Sequence, residues 1–266
     1  NLETIGKSLD LYENDGLTSL TGLNSLRTIG YSFNLVLNEG LTSLAGLESL
    51  QTIGSSLDIS TNDSLISLSG LENLETIGWL LYVRHNDALT SLSGLNRLES
   101  VGRLHVVYNH ELISLSGLES LKLVDGYFNI EQNYNLPSLA GLENIEVING
   151  DLDVNYNANL TSVSALKKLQ LVERNFDVGR NSSVCYSDVN SLASLMGTLG
   201  EMLGEESNNI GIDSHSFYDA LMNDNYKAEP KSIIHHSLRG FFSIRKGKWK
   251  LIENLGSGGF SKPVFI

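Results

Sequence analysis

The sequence predicts a mainly β fold, a leucine-rich β-solenoid of eight coils of about 24 residues followed by a small α+β C-terminal segment. Three observations lead to this prediction. An asparagine returns at a nearly constant interval, a pair of apolar residues alternates in step with it, and the period stops before the last part of the chain. A fixed period of this length is the sequence signature of a protein built from stacked repeats.

The asparagines mark the period. Seven steps separate eight of them, six of 24 residues and one of 23. This asparagine ladder consists of Asn14, Asn38, Asn62, Asn86, Asn109, Asn133, Asn157 and Asn181. Identical amides stacked coil on coil can hydrogen-bond the backbone of their own turns, so that polar groups inside an apolar core are satisfied. We therefore predict a structural role for the ladder, and the same for the serines and glycines that recur with it.

A pair of apolar residues separated by one other residue precedes each asparagine. Such alternation predicts a strand whose apolar pair faces inward. The pairs run from Leu9 and Leu11 in the first coil to Phe176 and Val178 in the eighth. Two further short apolar segments complete each unit, and none is long enough for a regular helix. Each coil therefore bends about three times around a leucine core that neighbouring coils bury together.

The pattern Leu-x-Leu-x-x-Asn-x-x-Leu resembles the leucine-rich repeat. With its Ile-Gly and Leu-x-Ser-Leu-x-Gly-Leu stretches, the longer unit is more similar to the receptor L-domain type of single-stranded right-handed β-helix, over residues 1–184. Bacterial surface proteins carry similar arrays. The resemblance implies a non-catalytic solenoid that binds a protein or a glycan, in a secreted, periplasmic or cell-surface location.

The candidate ligand-binding surface is the solvent-facing side of the predicted strands. Aromatic residues and histidines concentrate there in the fourth to sixth coils, those of Asn86, Asn109 and Asn133. Aromatic enrichment on an exposed sheet marks binding patches, although tyrosine is also common on surface strands for structural reasons. The candidate residues are Tyr82, Arg84, His85, His105, Tyr108, Tyr127 and Glu131. No catalytic residue and no metal site is predicted in the coils.

An acidic column on the same face, Asp10, Asn34 and Asp58, could in principle bind calcium through its oxygen atoms. The chain has no Gly-Gly-x-Gly-x-Asp calcium repeat, so a solvated acidic column is the preferred interpretation.

Composition narrows the possible functions. The single cysteine, Cys185, excludes an internal disulfide framework, and no apolar run reaches the roughly 20 residues that span a bilayer. The net charge is −13, and the residues before 227 carry 10 basic against 29 acidic side chains, which argues against nucleic-acid binding. Because the chain starts at Asn1 rather than at methionine, we expect that its natural start is missing.

The period ends after Asn181. Apolar residues at helical spacing predict an amphipathic helix within 185–204 that caps or links the solenoid. Residues 205–266 contain Gly-Ile-Asp-Ser-His-Ser-Phe, then His-His-Ser-Leu-Arg-Gly-Phe-Phe-Ser-Ile-Arg-Lys-Gly-Lys-Trp-Lys-Leu, then Gly-Ser-Gly-Gly. This order is similar to the C-terminal subdomain of arylsulfatases, and the residues predict an antiparallel hairpin, Gly240–Ile244 and Trp249–Glu253.

The sulfatase resemblance implies substrate-side roles for His235, His236, Arg245 and Lys250, with calcium as cofactor only if a sulfatase core were present. The motif that forms the sulfatase nucleophile, Cys-x-Pro-x-Arg, is missing, because Cys185 lies in Cys-Tyr-Ser-Asp-Val. We therefore expect no catalysis and no cofactor for this chain alone, and we interpret the join as a chimeric fragment. The alternative is part of an arylsulfatase-type sulfuric ester hydrolase whose catalytic core is missing from this chain.

Overall fold

The computed structural model describes residues 1–184. The predicted helix at 185–204 and the sulfatase-like segment at 205–266 lie outside the described residues, together with His235, His236, Arg245 and Lys250. Within residues 1–184 the fold is mainly β, and its single helical element is a short 3₁₀-helix, Ser164–Lys168.

Fourteen strands account for the regular structure of residues 1–184. They are β1 Thr4–Ile5, β2 Leu9–Tyr12, β3 Thr28–Ile29, β4 Phe33–Val36, β5 Thr52–Ile53, β6 Leu57–Ser60, β7 Thr76–Arg84, β8 Ser100–Val107, β9 Leu123–Val124, β10 Phe128–Glu131, β11 Val147–Ile148, β12 Leu152–Asn155, β13 Leu171–Val172 and β14 Phe176–Asp177. Each longer strand covers one of the predicted apolar pairs, and β14 begins at Phe176 of the eighth pair. The other two-residue strands lie at the Ile-Gly segments or at the equivalent apolar residues of the later coils.

The strands pair in parallel with the same strand of the neighbouring coil. Leu35 of β4 lies beside Ile59 of β6, and Val106 of β8 lies beside Ile130 of β10. Strands β2, β4, β6, β10, β12 and β14, with the C-terminal parts of β7 and β8, form one stacked row, called the strand face below. This topology is the predicted β-solenoid.

Residues 1–184 complete about seven turns. The eighth repeat contributes β13, β14 and Asn181, and the described residues end three positions later. The structure therefore shows seven full coils and a partial eighth, where the sequence predicts eight. Coil four denotes residues 74–97 below, coil five 98–120 and coil six 121–144.

The core follows the predicted alternation. Leu57 and Ile59 of β6 are fully buried, whereas Asp58 between them is half-buried on the outer side. The same holds in successive coils, so that columns of leucine, isoleucine and valine run through the solenoid, and Phe33 and Phe128 are the largest fully buried side chains. No coil could bury this surface alone, because each closes the core of its neighbour.

The asparagine side chains lie inside the turn that follows the strand face. Asn109 is representative: its Nδ2 donates to the carbonyl oxygens of Val83 (3.0 Å) and Val107 (3.2 Å). Its Oδ1 accepts from the backbone N–H of Asn86 (3.1 Å) and from the Nδ2 of Asn86 (3.2 Å). The amides of Asn38, Asn62, Asn86, Asn109 and Asn157 thus satisfy backbone groups of two coils, whereas that of Asn133 bonds the backbone of coil five alone.

The residue before each asparagine occupies the left-handed region of backbone space, which the residue types at these positions do not predict. All eight are non-glycine residues with φ between 50° and 59°. This left-handed column consists of Glu13, Leu37, Thr61, His85, Tyr108, Gln132, Tyr156 and Arg180. Non-glycine residues avoid this region unless their surroundings hold them there, and here the asparagine bonds on the next residue do so.

The recurring glycines also take positive φ, from Gly22 (116°) to Gly141 (110°). Coil seven has Ala165 at this position. Because alanine does not readily adopt positive φ, the chain forms the 3₁₀-helix Ser164–Lys168 there instead. The serines bond locally: Ser114 Oγ accepts from the backbone N–H of Ser116 at 3.1 Å.

Candidate ligand-binding surface

The outward side chains of the strand face form columns whose spacing the parallel register fixes. Tyr82 of coil four lies beside His105 of coil five, which lies beside Asn129 of coil six. Neighbouring strands are about 4.8 Å apart, close enough for such side chains to touch. The outward positions of these three coils are Leu80, Tyr82, Arg84, Arg103, His105, Val107, Tyr127, Asn129 and Glu131.

Three rings on this face make a continuous chain of edge contacts. The centroids of Tyr82 and His105 are 5.6 Å apart, and those of His105 and Tyr127 are 5.1 Å apart. Edge-to-face packing is a favourable geometry for aromatic rings. The structure thus brings together three of the candidate residues from three successive coils, and each is partly exposed.

Two arginines lie over aromatic rings at the coil-four end of this row of three rings. The guanidinium carbon of Arg84 is 4.8 Å from the Tyr82 centroid, and Arg84 Nε donates to Ser60 Oγ at 3.2 Å. The guanidinium carbon of Arg103 is 4.5 Å from the centroid of Trp79, which is 51% exposed. Arg103 is absent from the sequence-based set, although its outward position beside Tyr127 could have indicated it.

Strands β7 and β8 are the two longest, and the one short repeat explains their shape. Their pairing shifts register between Ile77 and Leu80, where coil five lacks one residue. A bulge of this kind re-aims the side chains around it. Trp79 lies in the extra residues of β7, and Arg103 reaches it from the shorter strand.

The C-terminal side of the patch is polar. The Tyr127 hydroxyl donates to Oδ2 of Asp153 in coil seven. Asn129, only 8% exposed, donates from Nδ2 to Glu131 Oε2 at 3.4 Å. Its Oδ1 is buried and has no hydrogen-bond partner among residues 1–184. Burial, and then the bond to Asp153, raise the pKa of the Tyr127 phenol, so it stays protonated and remains a donor.

Residues 101–197 match the family model of the Receptor L domain. The match begins at Val101 in β8, so it includes the candidate residues His105, Tyr108, Tyr127 and Glu131 and extends past the described part of the chain. Comparisons with curated proteins and with solved structures gave no significant match. Residues 1–184 contain no helix long and apolar enough to cross a membrane.

Two candidate residues lie beside the strand face rather than on it. His85 and Tyr108 occupy the left-handed column, and their rings stack with centroids 4.7 Å apart and 17° between planes. Tyr108 lies within the stretch that is similar to the Receptor L domain. Two positions further along the chain, just after the ladder asparagine, His110 stacks on Tyr134 at 5.0 Å, and its Nδ1 is 3.3 Å from Asp87 Oδ1. These pairs form a separate exposed strip along the asparagine turns.

Electrostatic surroundings distinguish His105 from the arginines. Burial, and then the nearby charge of Arg103, lower its pKa, so the imidazole is neutral near pH 7. The positive charge of the patch therefore comes from Arg84 and Arg103. Within residues 1–184 no group of three or more His, Cys, Asp and Glu side chains is placed to hold a metal ion.

The neighbouring acidic column is only partly solvated, which modifies the prediction of a solvated column. Asn34 donates from Nδ2 to Asp10 Oδ1 at 2.6 Å, and Asp58 accepts from Ser60 Oγ. Burial raises the pKa of Asp58, whereas the Ser60 bond and the charge of Arg84 lower it, and burial prevails.

We expect Asp58→Asn to stabilise the solenoid at neutral pH, by less than about 1 kcal/mol because the group is partly exposed. A carboxyl group whose pKa is raised on folding binds its proton more tightly in the folded state. Its ionisation therefore lowers the free energy of unfolding as the pH rises from the unfolded-state pKa of 3.8 through the higher folded-state pKa. The gain should therefore shrink as pH falls towards 4. Urea unfolding at pH 4 and 7 measures it, with Asp10→Asn as the exposed control. An equal gain at both pH values would contradict the burial argument.

Proposed function

We propose that the solenoid is a non-catalytic ligand-binding module that acts outside the cell and binds a protein or a glycan through the strand face of coils four to six. The observation that carries the proposal is the chain of outward rings Tyr82, His105 and Tyr127, with Arg84 and Arg103 stacked at its edge. Similarity to the Receptor L domain supports a binding role and an extracellular setting.

The side-chain chemistry of this patch suits recognition. Tyrosine, tryptophan and arginine are enriched at the energetically important positions of interfaces. Here they are already packed on one another, so a ligand would not have to order them at the cost of side-chain entropy. The parallel sheet beneath them sets their spacing through backbone bonds.

We expect the double substitution Tyr82→Ser with Tyr127→Ser to reduce ligand binding about tenfold or more, because it removes both ends of the ring chain. Binding is measured for the full chain on a printed glycan array and on an array of purified extracellular proteins. The matched control is Tyr31→Ser, which removes a tyrosine that is 62% exposed in coil two and makes no ring contact among residues 1–184.

Circular dichroism and the thermal midpoint establish that the double variant is folded. Specific binding that survives the double substitution would place the site elsewhere and contradict the proposal. A complete lack of specific binding on both arrays would also count against it.

A further inference from the structure

We infer, building on the proposed function, that the ligand of the strand face is an oligosaccharide carrying isolated anionic groups, carboxylate or sulfate, held by Arg84 and Arg103. Three features of the patch support this inference: the pairing state of the two arginines, their contacts with aromatic rings, and the size and margins of the surface.

Neither arginine has a carboxylate within ion-pairing distance among residues 1–184, although Ser60 links Arg84 to Asp58. Residues 1–184 contain 22 Asp and Glu against 10 Lys and Arg, and of these ten basic side chains only Arg97 and Lys122 form an ion pair. Their partners are Glu75 at 3.3 Å and Glu99 at 3.2 Å, respectively. Arg84 and Arg103 have no ion pair within the described range, and Arg84 uses only its Nε, on Ser60. Their terminal N–H groups are available to an anion.

Stacking orients these groups before any ligand arrives. A guanidinium packed flat on an aromatic ring keeps its in-plane N–H donors directed sideways. Two of these N–H groups form a fork that can bind two oxygens of one carboxylate or sulfate. The guanidinium carbons of Arg103 and Arg84 lie 4.5 and 4.8 Å from the centroids of Trp79 and Tyr82, within the distance of a cation–π contact.

The surroundings favour a sugar chain with isolated charges over a longer polyanion. Asp58 borders Tyr82 on the side of coil three, and Asp153 borders Asn129 on the side of coil seven. An extended acidic polymer crossing the coils would meet these carboxylates, and like charges repel.

The footprint also favours an oligosaccharide. The patch covers three neighbouring strands over a length of about five residues each, or roughly 14 Å by 16 Å. This area is well below the roughly 800 Å² that each partner buries in a typical protein interface. Next to the arginine donors, the partly exposed Tyr127 hydroxyl and Glu131 carboxylate offer oxygen atoms that can accept hydrogen bonds from sugar hydroxyls.

The test is a glycan array that pairs neutral oligosaccharides with their sialylated, uronic-acid-containing and sulfated forms, probed with the full chain. We expect binding to anionic members over their neutral parents, and a loss of about tenfold or more for Arg84→Gln and for Arg103→Gln. Arg97→Gln, which removes the same charge from an arginine paired with Glu75, should bind like the unmodified chain. A preference for carboxylated or for sulfated members identifies the source of the charge, and either supports the inference.

Equal binding of neutral and anionic members overturns the inference but leaves the proposed function in place. Binding confined to an acidic protein on the array of purified extracellular proteins likewise overturns the inference and leaves the proposed function in place. Unchanged anionic binding in both arginine variants also overturns it. Failure of the proposed function would look different, as a lack of specific binding to any member of either array.

Discussion

Replacing Asn109 by alanine is expected to lower the free energy of unfolding by about 4 kcal/mol or more, because several buried groups lose their partners at once. The Val83 and Val107 carbonyls lose a donor, and the backbone N–H and Nδ2 of Asn86 lose an acceptor. All lie where the asparagine is fully buried, so water cannot replace the missing bonds. Urea unfolding of the full chain, followed by circular dichroism, measures the effect.

Asn14→Ala is the matched control. Asn14 is the first member of the ladder, and its exposed side chain donates a single bond, to the Tyr12 carbonyl at 2.8 Å. We expect it to cost no more than about 1 kcal/mol. Similar losses for both substitutions would mean that position in the ladder does not matter, and would contradict the account of the ladder given above.

Gly94→Ala is expected to prevent normal folding or to cost more than about 4 kcal/mol, because two effects combine. Gly94 has φ +122°, which an L side chain rarely adopts, and an added Cβ would lie 2.1 Å from the Leu68 carbonyl oxygen of the previous coil. Since that neighbour is backbone, it cannot rotate away. Soluble yield, size-exclusion profile and urea unfolding are the measurements.

Gly22→Ala separates the two effects. Gly22 has nearly the same φ, +116°, but nothing lies within 4 Å of its added Cβ. Only the backbone strain should remain, about 1–3 kcal/mol. If Gly22→Ala were as damaging as Gly94→Ala, the close approach of successive coils would not be the reason for glycine.

The stacked fold could be predicted because its causes repeat. Leu57 and Ile59 alternate with Asp58 in the sequence, and the same alternation appears in the structure as buried and half-buried side chains. The missing residue before Arg103 was also visible, and it coincides with the register shift between β7 and β8. Period, inward pair and bend positions thus follow from residue types that recur.

The left-handed column could not be predicted, because its members share no residue type. Glu13, Leu37 and Thr61 give no signal that favours positive φ. The conformation comes from the asparagine that follows, whose bonds reach into neighbouring coils. Local propensity is overridden here by contacts between coils.

The candidate surface was partly predictable. Spacing alone placed Tyr82, His105 and Tyr127 on one face, and the structure adds their edge contacts. The sequence spacing does not reveal that Arg103 reaches across to Trp79, since that contact depends on the register shift. The sequence spacing also does not reveal the burial of Asp58, which depends on how neighbouring side chains cover this carboxyl group.

The left-handed column separates backbone shape from side-chain identity. Its eight positions keep φ within 50° to 59° while carrying acidic, aliphatic, hydroxyl, aromatic, amide and basic side chains. The turn is therefore indifferent to what it displays. Natural variation can exchange residues such as His85, Tyr108 or Arg180 along this edge without remodelling a single coil. One and the same backbone turn can therefore display different side-chain chemistry in successive coils.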